Sequence, residues 1–516
     1  MNVRWRSLAL SLLVPVGISA IVISSVAADP LLTKHGKADL AQLPAMPHAL
    51  PIPLEHATPV HLPKPTAPLK PVPFTATPKL KGWVIEIPGN HPICTPAYAS
   101  GKLYVGGGYG AHEFYCFDAP TGKLLWTYNT SDDGPTAAVV EEGCVAFNTE
   151  SCTVYVLDAN TGKELWKEWL GDPLMSQPAI SKGHLFMAYP SGQHGGKPGH
   201  ALLCADLRTG KHIWNEQISA DVISAPIVEY DRVYLTCMDG TSYCFSARDG
   251  SLIWKKQGAA TSAPVIHDGR LIVSERQGEG KQVCEGIRRV DAGKGAADGA
   301  LVAAAPAPYI YGGSNGTIGP QSGDLNSIAV AAKAHGGGAG AAKAHWFQAM
   351  DSAVGFPAAP PPAQMDLVQQ NLGIGSVSGA WGYQGARAAY NRGNVTNAQL
   401  TYVNCVDAIT GQVKWRAEAK GSFITGQSQV FSTPSLGRKN IYLCSGDGHV
   451  VCMDQATGTV NYMLATQKPI SFQPALANRS IYLGTADGSL VCLDTDDPDA
   501  DGWTSWGGNA QHNKTD

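Results

Sequence analysis

Two kinds of residue in this chain have the type and spacing to do chemistry: twelve cysteines, and a run of aspartates near the carboxyl end. Asp497, Asp499 and Asp501 alternate through Asp-Pro-Asp-Ala-Asp-Gly, the spacing with which a calcium loop begins. Such a loop normally closes on a bidentate glutamate, whereas the twelfth position here is Gly508. A solvated turn and a calcium site both stay open, so no metal ligand is assigned. Six cysteines share one repeated place, two residues before an aspartate or its substitute: Cys116, Cys204, Cys244, Cys405, Cys452 and Cys492. Cys is a compact apolar residue that is often buried, and buried thiols are the expectation there. Cys144 with Cys152, Cys237 with Cys244 and Cys444 with Cys452 flank turns and could pair within one repeat, a matter that strand register decides. His335 and His345 close a duplicated Ala-Ala-Lys-Ala-His, which reads either as a metal-binding pair or as two solvated imidazoles.

The elements that must position these residues form a repeat. Asp118-Ala-Pro-Thr-Gly-Lys-Leu-Leu-Trp126 returns as Asp158 to Trp166, as Asp206 to Trp214 and as Asp407 to Trp415. Weaker copies run from Ser246 to Trp254 and from Asp454 to Tyr462, and degenerate ones begin at Asp291 and Asp494. The steps are 40, 48, 40 and 45 residues between 118 and 291, and 47 and 40 between 407 and 494. Each unit carries short alternating runs, such as Gly101-Lys-Leu-Tyr-Val and Asn440-Ile-Tyr-Leu, parted by turns such as Asp239-Gly240 and Asp447-Gly448. These are strands joined in hairpins. Four short strands in a period near 40 make propeller blades. In the phrase itself, Thr-Gly turns the chain between the third and outer strands, and its bare glycine face lets a neighbouring indole lie flat.

The blade count follows from the anchors. A proline opens the inner strand of most units, 12 residues after Trp166, Trp214 and Tyr462 and 10 after Trp254. Trp83 stands 13 before Pro96 yet has no phrase of its own, and Asp494 has a phrase without an anchor. Joining the two puts the strand around Trp83 into the last blade. The expected fold is therefore all-β, an eight-bladed β-propeller over residues 81–516 closed by an N-terminal strand, which leaves few open sheet edges.

Outside the repeats, Arg4 and Arg6 precede an apolar run from Ser7 to Val26 and small residues at Ala27 and Ala28, so residues 1–28 read as an export signal or an uncleaved anchor. Residues 29–80 hold twelve prolines between Pro30 and Pro78 and read as an extended linker. Residues 295–377 are an Ala-, Gly- and Pro-rich insertion, with a possible helix from Asp366 to Asn371, read as either a loop or a flap over one mouth of the ring. The net charge of −4, with 16% charged residues, gives no reason to expect nucleic acid or an anionic membrane as partner.

The phrases resemble the tryptophan-docking motif, Ala-x-Asp-x-x-Thr-Gly-x-x-x-Trp, of quinoprotein dehydrogenases and their cofactor-free relatives, which include the propeller lipoprotein of the outer-membrane β-barrel assembly machine. The resemblance covers about residues 82–294 and 378–495. It implies the propeller fold, and for the enzymes of that family it implies pyrroloquinoline quinone (PQQ) and calcium. Those enzymes carry an adjacent Cys-Cys pair, and none of the twelve cysteines here are neighbours. A Cys-x-x-Cys-His haem site is missing too, as is an N-terminal Cys for lipid attachment before Cys94. No catalytic or cofactor-binding residue is assigned. The expectation is a monomeric, exported scaffold, periplasmic or secreted, that binds envelope or extracellular proteins and touches membrane only through its N-terminal anchor. The alternatives are a PQQ- and calcium-dependent alcohol or sugar dehydrogenase and a carbohydrate or ligand binder using aromatics such as Trp381 and Tyr383.

Overall fold

The computed structural model describes residues 47–299, 302–306, 387–399, 402–419 and 431–515, apart from short breaks at 109, 133, 150–151, 172–175, 192–198, 238, 261, 278–283 and 471. The export signal, most of the insertion, His335, His345, Trp381 and Tyr383 lie outside the described residues. Among those described, no helix is long and apolar enough to cross a membrane.

Eight antiparallel sheets form the ring. In chain order they are blade 1 (97–129), blade 2 (139–169), blade 3 (179–218), blade 4 (227–256), blade 5 (265–306), blade 6 (389–419), blade 7 (435–465) and blade 8 (475–494). Within a blade each strand hydrogen-bonds to the next, and the short inner strands of successive blades stand side by side around the axis. Blade 8 gains its outer strand from the other end of the chain. Leu80–Glu86 pairs antiparallel with Ser489–Asp494, with Trp83 opposite Cys492. The ring closes as the anchor spacing predicts.

The docking phrase acts as expected. In blade 2, Asp158 Oδ1 accepts from the Thr161 backbone N–H at 2.9 Å and its hydroxyl at 2.8 Å, and the Gly162 N–H bonds back to the Asp158 carbonyl at 2.9 Å. This fixes the turn and sets Gly162 at φ +71°, where a Cβ would fall 2.6 Å from the Trp126 ring of the preceding blade. The same close approach joins Trp83 to Gly122, Trp166 to Gly210, Trp214 to Gly250, Trp254 to Gly295 and Trp415 to Gly458. Five indole N–H groups donate to the carbonyl of the residue after the phrase aspartate, at Ala119, Leu207, Ala247, Ala292 and Gln455. At the sixth, Trp126 Nε1 has no partner and the Tyr104 hydroxyl serves Ala159 O instead, at 3.0 Å.

Register explains the cysteines. Cys116, Cys204, Cys244, Cys405, Cys452 and Cys492 each lie directly across from an anchor ring, Tyr462 and Trp83 included. A small residue there makes room for the ring to turn sideways onto the next blade. All six are buried and outside any disulfide, as are Cys144, Cys152, Cys237 and Cys444, so none of the candidate pairs within a repeat forms. Burial pushes the Cys116, Cys204, Cys405, Cys452 and Cys492 thiols up to about 12, which leaves them neutral and unreactive.

The proline-rich linker needs correction over its second half. Leu50–Ile52 lies parallel on the outer strand of blade 6, Thr58–Pro59 lies parallel on that of blade 7, and Val72–Thr77 pairs with Leu80–Glu86 of blade 8. Ile52 and Val60 are fully buried. The segment is a strap on the ring, and its prolines are tolerated because an outermost strand needs its N–H groups on one side only.

Two predictions follow from the docking geometry. Trp83→Ala removes a buried indole and the closing contact together, and is expected to cost about 3–5 kcal/mol in denaturant unfolding. The phrase aspartates make stability depend on acid. The Thr410 N–H bonds to Asp407, aided by Lys414, and holds its carboxyl down to about 2. Hydrogen bonds from Thr161 and Thr209 lower Asp158 and Asp206 in the same direction. Depressed carboxyls stabilise the fold above their unfolded value near 4 and lose that contribution as pH falls toward 2. The unfolding temperature should drop across that window, and Asp407→Asn should flatten part of the drop.

Candidate functional site

The inner strands of successive blades stand side by side around the ring axis. The residue just before each inner strand's opening proline or alanine differs between blades. Thr95, Gln177, Arg387, Thr433 and Gln473 present polar side chains in blades 1, 3, 6, 7 and 8, and Ala137, Ala225 and Ala263 fill the same place in blades 2, 4 and 5. These polar groups are tied to the frame. The Thr95 hydroxyl donates to Gln473 O at 2.7 Å, and Gln473 Nε2 donates to Pro434 O at 2.7 Å.

The chain's own carboxyl end occupies this axis. Residues 497–513 leave blade 8 on the side where the docking turns lie and bond to every blade in the ring. The Asp499 carboxylate accepts the Lys439 and Asn440 N–H groups of blade 7, both at 2.9 Å. Trp503 O takes Leu476 N–H of blade 8 and Thr504 O takes Tyr98 N–H of blade 1. Gln511 Nε2 reaches Glu141 of blade 2 at 2.5 Å. Ala510 O and Gln511 O accept from Ile180 in blade 3 and Val228 in blade 4. Asn513 bonds both the N–H and the carbonyl of Ile266 in blade 5, and Arg387 of blade 6 donates to Gly507 O at 3.0 Å. Trp503, Trp506 and His512 are buried at this hub.

At the centre, the Arg387 guanidinium lies over the Trp506 ring, 5.7 Å from its centroid, and donates a second bond to Asn513 Oδ1 at 3.1 Å. Burial lowers its pKa to about 9, so it keeps its charge at neutral pH. Gln473 Oε1 accepts the Gly507 N–H at 3.1 Å, so the Gly507 peptide is held from both sides. The two ring nitrogens of His512 face the Trp506 and Pro178 carbonyls at 2.8 and 2.9 Å. Burial pulls its pKa down to about 4; a neutral ring donates to one of these carbonyls.

The aspartate run belongs to the base of this hub. Tyr442 and Tyr462 hydroxyls donate to Asp497 Oδ2 at 2.8 and 3.1 Å, and Asp501 Oδ1 accepts the Asn478 N–H at 2.9 Å. Asp497 and Asp499 share the Tyr442 hydroxyl, at 2.8 and 3.5 Å, and Asp501 turns to another donor. Among the described residues, no group of three or more His, Cys, Asp or Glu side chains could hold a metal ion. Tyr462 sits where other blades carry the indole, and it meets Asp497 in place of a glycine turn. Sequence reading singled out that tyrosine and that aspartate separately; their partnership needed the fold.

Two residues went unread. Arg387 lies just past the insertion, in a place where Gln177 and Gln473 precede a proline in their own blades. Arg289 takes the cysteine place of blade 5, a blade without an anchor Trp, and its guanidinium donates to the carbonyls of Ala408 and Ile409 in blade 6. It makes the bond an indole would make.

PQQ is a planar, multiply anionic quinone and would need both a flat slot and free cationic donors. Beside Arg387 the slot is filled by Trp506 and Gly507, and the guanidinium is engaged by the tail itself. The group does not fit there with the tail in place.

Fold and hub define the chain as an eight-bladed propeller of the PQQ-like repeat class. It belongs to the family described as outer membrane protein assembly factor BamB, whose model matches residues 81–194, 150–286 and 377–506. A stretch of 114 residues is 33% identical to a quinoprotein ethanol dehydrogenase of Pseudomonas aeruginosa, covering 20% of this chain and 17% of that enzyme. Among solved structures, BamB from Moraxella catarrhalis superposes with a TM-score of 0.50 at 13% identity, over 82% of this chain and 97% of that one. Saccharomyces cerevisiae Sqt1 gives 0.51 at 8% identity, over 79% and 97%. At such identities the likeness is one of fold.

Removing residues 503–516 takes away the axial bonds to all blades but blades 7 and 8. The truncated chain should lose several kcal/mol of stability, since two buried Trp side chains leave at about 3–5 kcal/mol each when deleted singly. Chemical unfolding followed by Trp fluorescence measures it.

Proposed function

We propose that this chain is a non-enzymatic, protein-binding scaffold of the cell envelope. The observation that carries this reading is the filled axis: residues 503–513 occupy it, and most of their donors and acceptors bond to the blades around them. The family description, an assembly factor, supports the same direction. The export signal or anchor read in residues 1–28, with Arg4 and Arg6, supports work in the periplasm or outside the cell. A rigid propeller then works through its surfaces, as propellers with unrelated functions do.

The stretch shared with an ethanol dehydrogenase favours a second reading, a quinone- and calcium-dependent enzyme. One experiment separates them. The mature chain is incubated with PQQ and calcium and examined for a bound-quinone spectrum and for dye reduction with ethanol or sugars. The scaffold reading expects neither. Saturable quinone binding with turnover overturns it.

A further inference from the structure

The ring's outer edges are not alike. On blades 6 and 7 the outermost strand carries Leu50–Ile52 and Thr58–Pro59, and on blade 8 it carries Val72–Thr77. Among the described residues, Leu124–Asn129, Glu164–Trp169, His212–Ile218 and Leu252–Lys256 of blades 1 to 4 have a sheet neighbour on one side only. An open edge of this kind is a template for an added strand.

A second feature divides the blades in the same way. In blades 1 to 4, 6 and 7 the outer strand bulges one residue before the anchor, and that residue drops out of register. On the open edges it is Leu125, Leu165, Ile213 and Ile253, exposed at 44%, 37%, 44% and 39%. On the covered edges of blades 6 and 7 it is Lys414, bonded to Asn394 and Asp407, and Asn461, bonded to Asn440. Trp169, 44% exposed, stands at the end of the blade 2 edge. One exposed aliphatic side chain means little, but here the same position is aliphatic on the four consecutive open edges of blades 1 to 4 and polar on the covered edges of blades 6 and 7.

We propose that the outer edges of blades 1 to 4 are docking sites for an extended, aliphatic-bearing segment of a partner protein, which adds to them as a fifth strand. The chain itself supplies the precedent. Residues 50–60 lie along two blade edges in sequence, and Ile52 and Val60 become fully buried there although Pro51 and Pro59 lie beside them. This inference rests on the scaffold reading and names its working surface. Quinone turnover would remove that reading, whereas the test below bears on the edge alone.

The probe is a fluorescent synthetic copy of residues 48–61, titrated onto the full mature chain. The edges of blades 6 and 7 are already filled by the chain's own copy, so a peptide added in trans finds the open edges. Saturable binding is expected, with amide exchange slowed in the outer strands of blades 1 to 4. Affinity should fall at least tenfold in a variant combining Leu125→Lys, Leu165→Lys, Ile213→Lys and Ile253→Lys. Each single substitution should relieve the slowing on its own blade only, so the reading survives even where the combined variant folds poorly. No saturable binding, exchange slowed at the channel mouths or on blades 6 and 7, or single variants that bind unchanged would overturn the proposal.

Discussion

A propeller blade is a small twisted sheet whose two faces are both apolar, and alone it has nothing to cover them. In this chain the joint between blades is an indole laid flat on a glycine peptide, with its N–H reaching the carbonyl beside the phrase aspartate. The glycine must lack a Cβ, the residue across from the indole must be small, and the aspartate must hold the turn. Those three demands account for Gly162, Cys204 and Asp158 in their blades and for their equivalents around the ring. Where one part changes, its partners change with it. Tyr462 meets Asp497, and Arg289 supplies from the cysteine position the donor that blade 5's outer strand does not.

The second unifying element lies on the axis. A ring held only by contacts between neighbours can open at any one joint, and here the two chain ends oppose that differently. The amino-terminal strand closes blade 8 at the rim, and the carboxyl-terminal residues bind the inner strands from within. Burying polar tail atoms is tolerable because most meet a partner, as with Gly507 held between Gln473 and Arg387, although the Trp503 and Trp506 indole N–H groups do not. The result shifts attention from the channel to the outside of the ring, where edges differ in what covers them.

Much of this was legible in the sequence. The phrase from Asp118 to Trp126 and its copies announce blades, and the misfit between Trp83 and Asp494 announces how the ring closes. Composition misled at Pro51, Pro59 and Pro73, because proline reads as a linker residue while an outermost strand accepts it. The aspartate run left a solvated turn and a calcium loop both open, since spacing alone does not show where carboxylates point; in the fold Asp497 and Asp499 turn toward blade 7 and Asp501 to the Asn478 N–H of blade 8. A packed cap around Trp503, Trp506 and His512 could be read from the sequence, but its partners on the ring could not, for a related reason. Arg387, Gln473 and His512 are far apart in sequence and share no motif, and only the circular arrangement of inner strands brings them to one axis.

The claim on which the rest stands is that Trp83 and Gly122 hold blades 8 and 1 together through direct contact. A double-mutant cycle with Trp83→Phe and Gly122→Ala, read by denaturant unfolding, measures that contact itself. The account predicts that the two changes are strongly non-additive, with a coupling of about 1 kcal/mol or more. Additive losses would mean that the indole and the glycine act independently, and the ring would need another explanation for its closure.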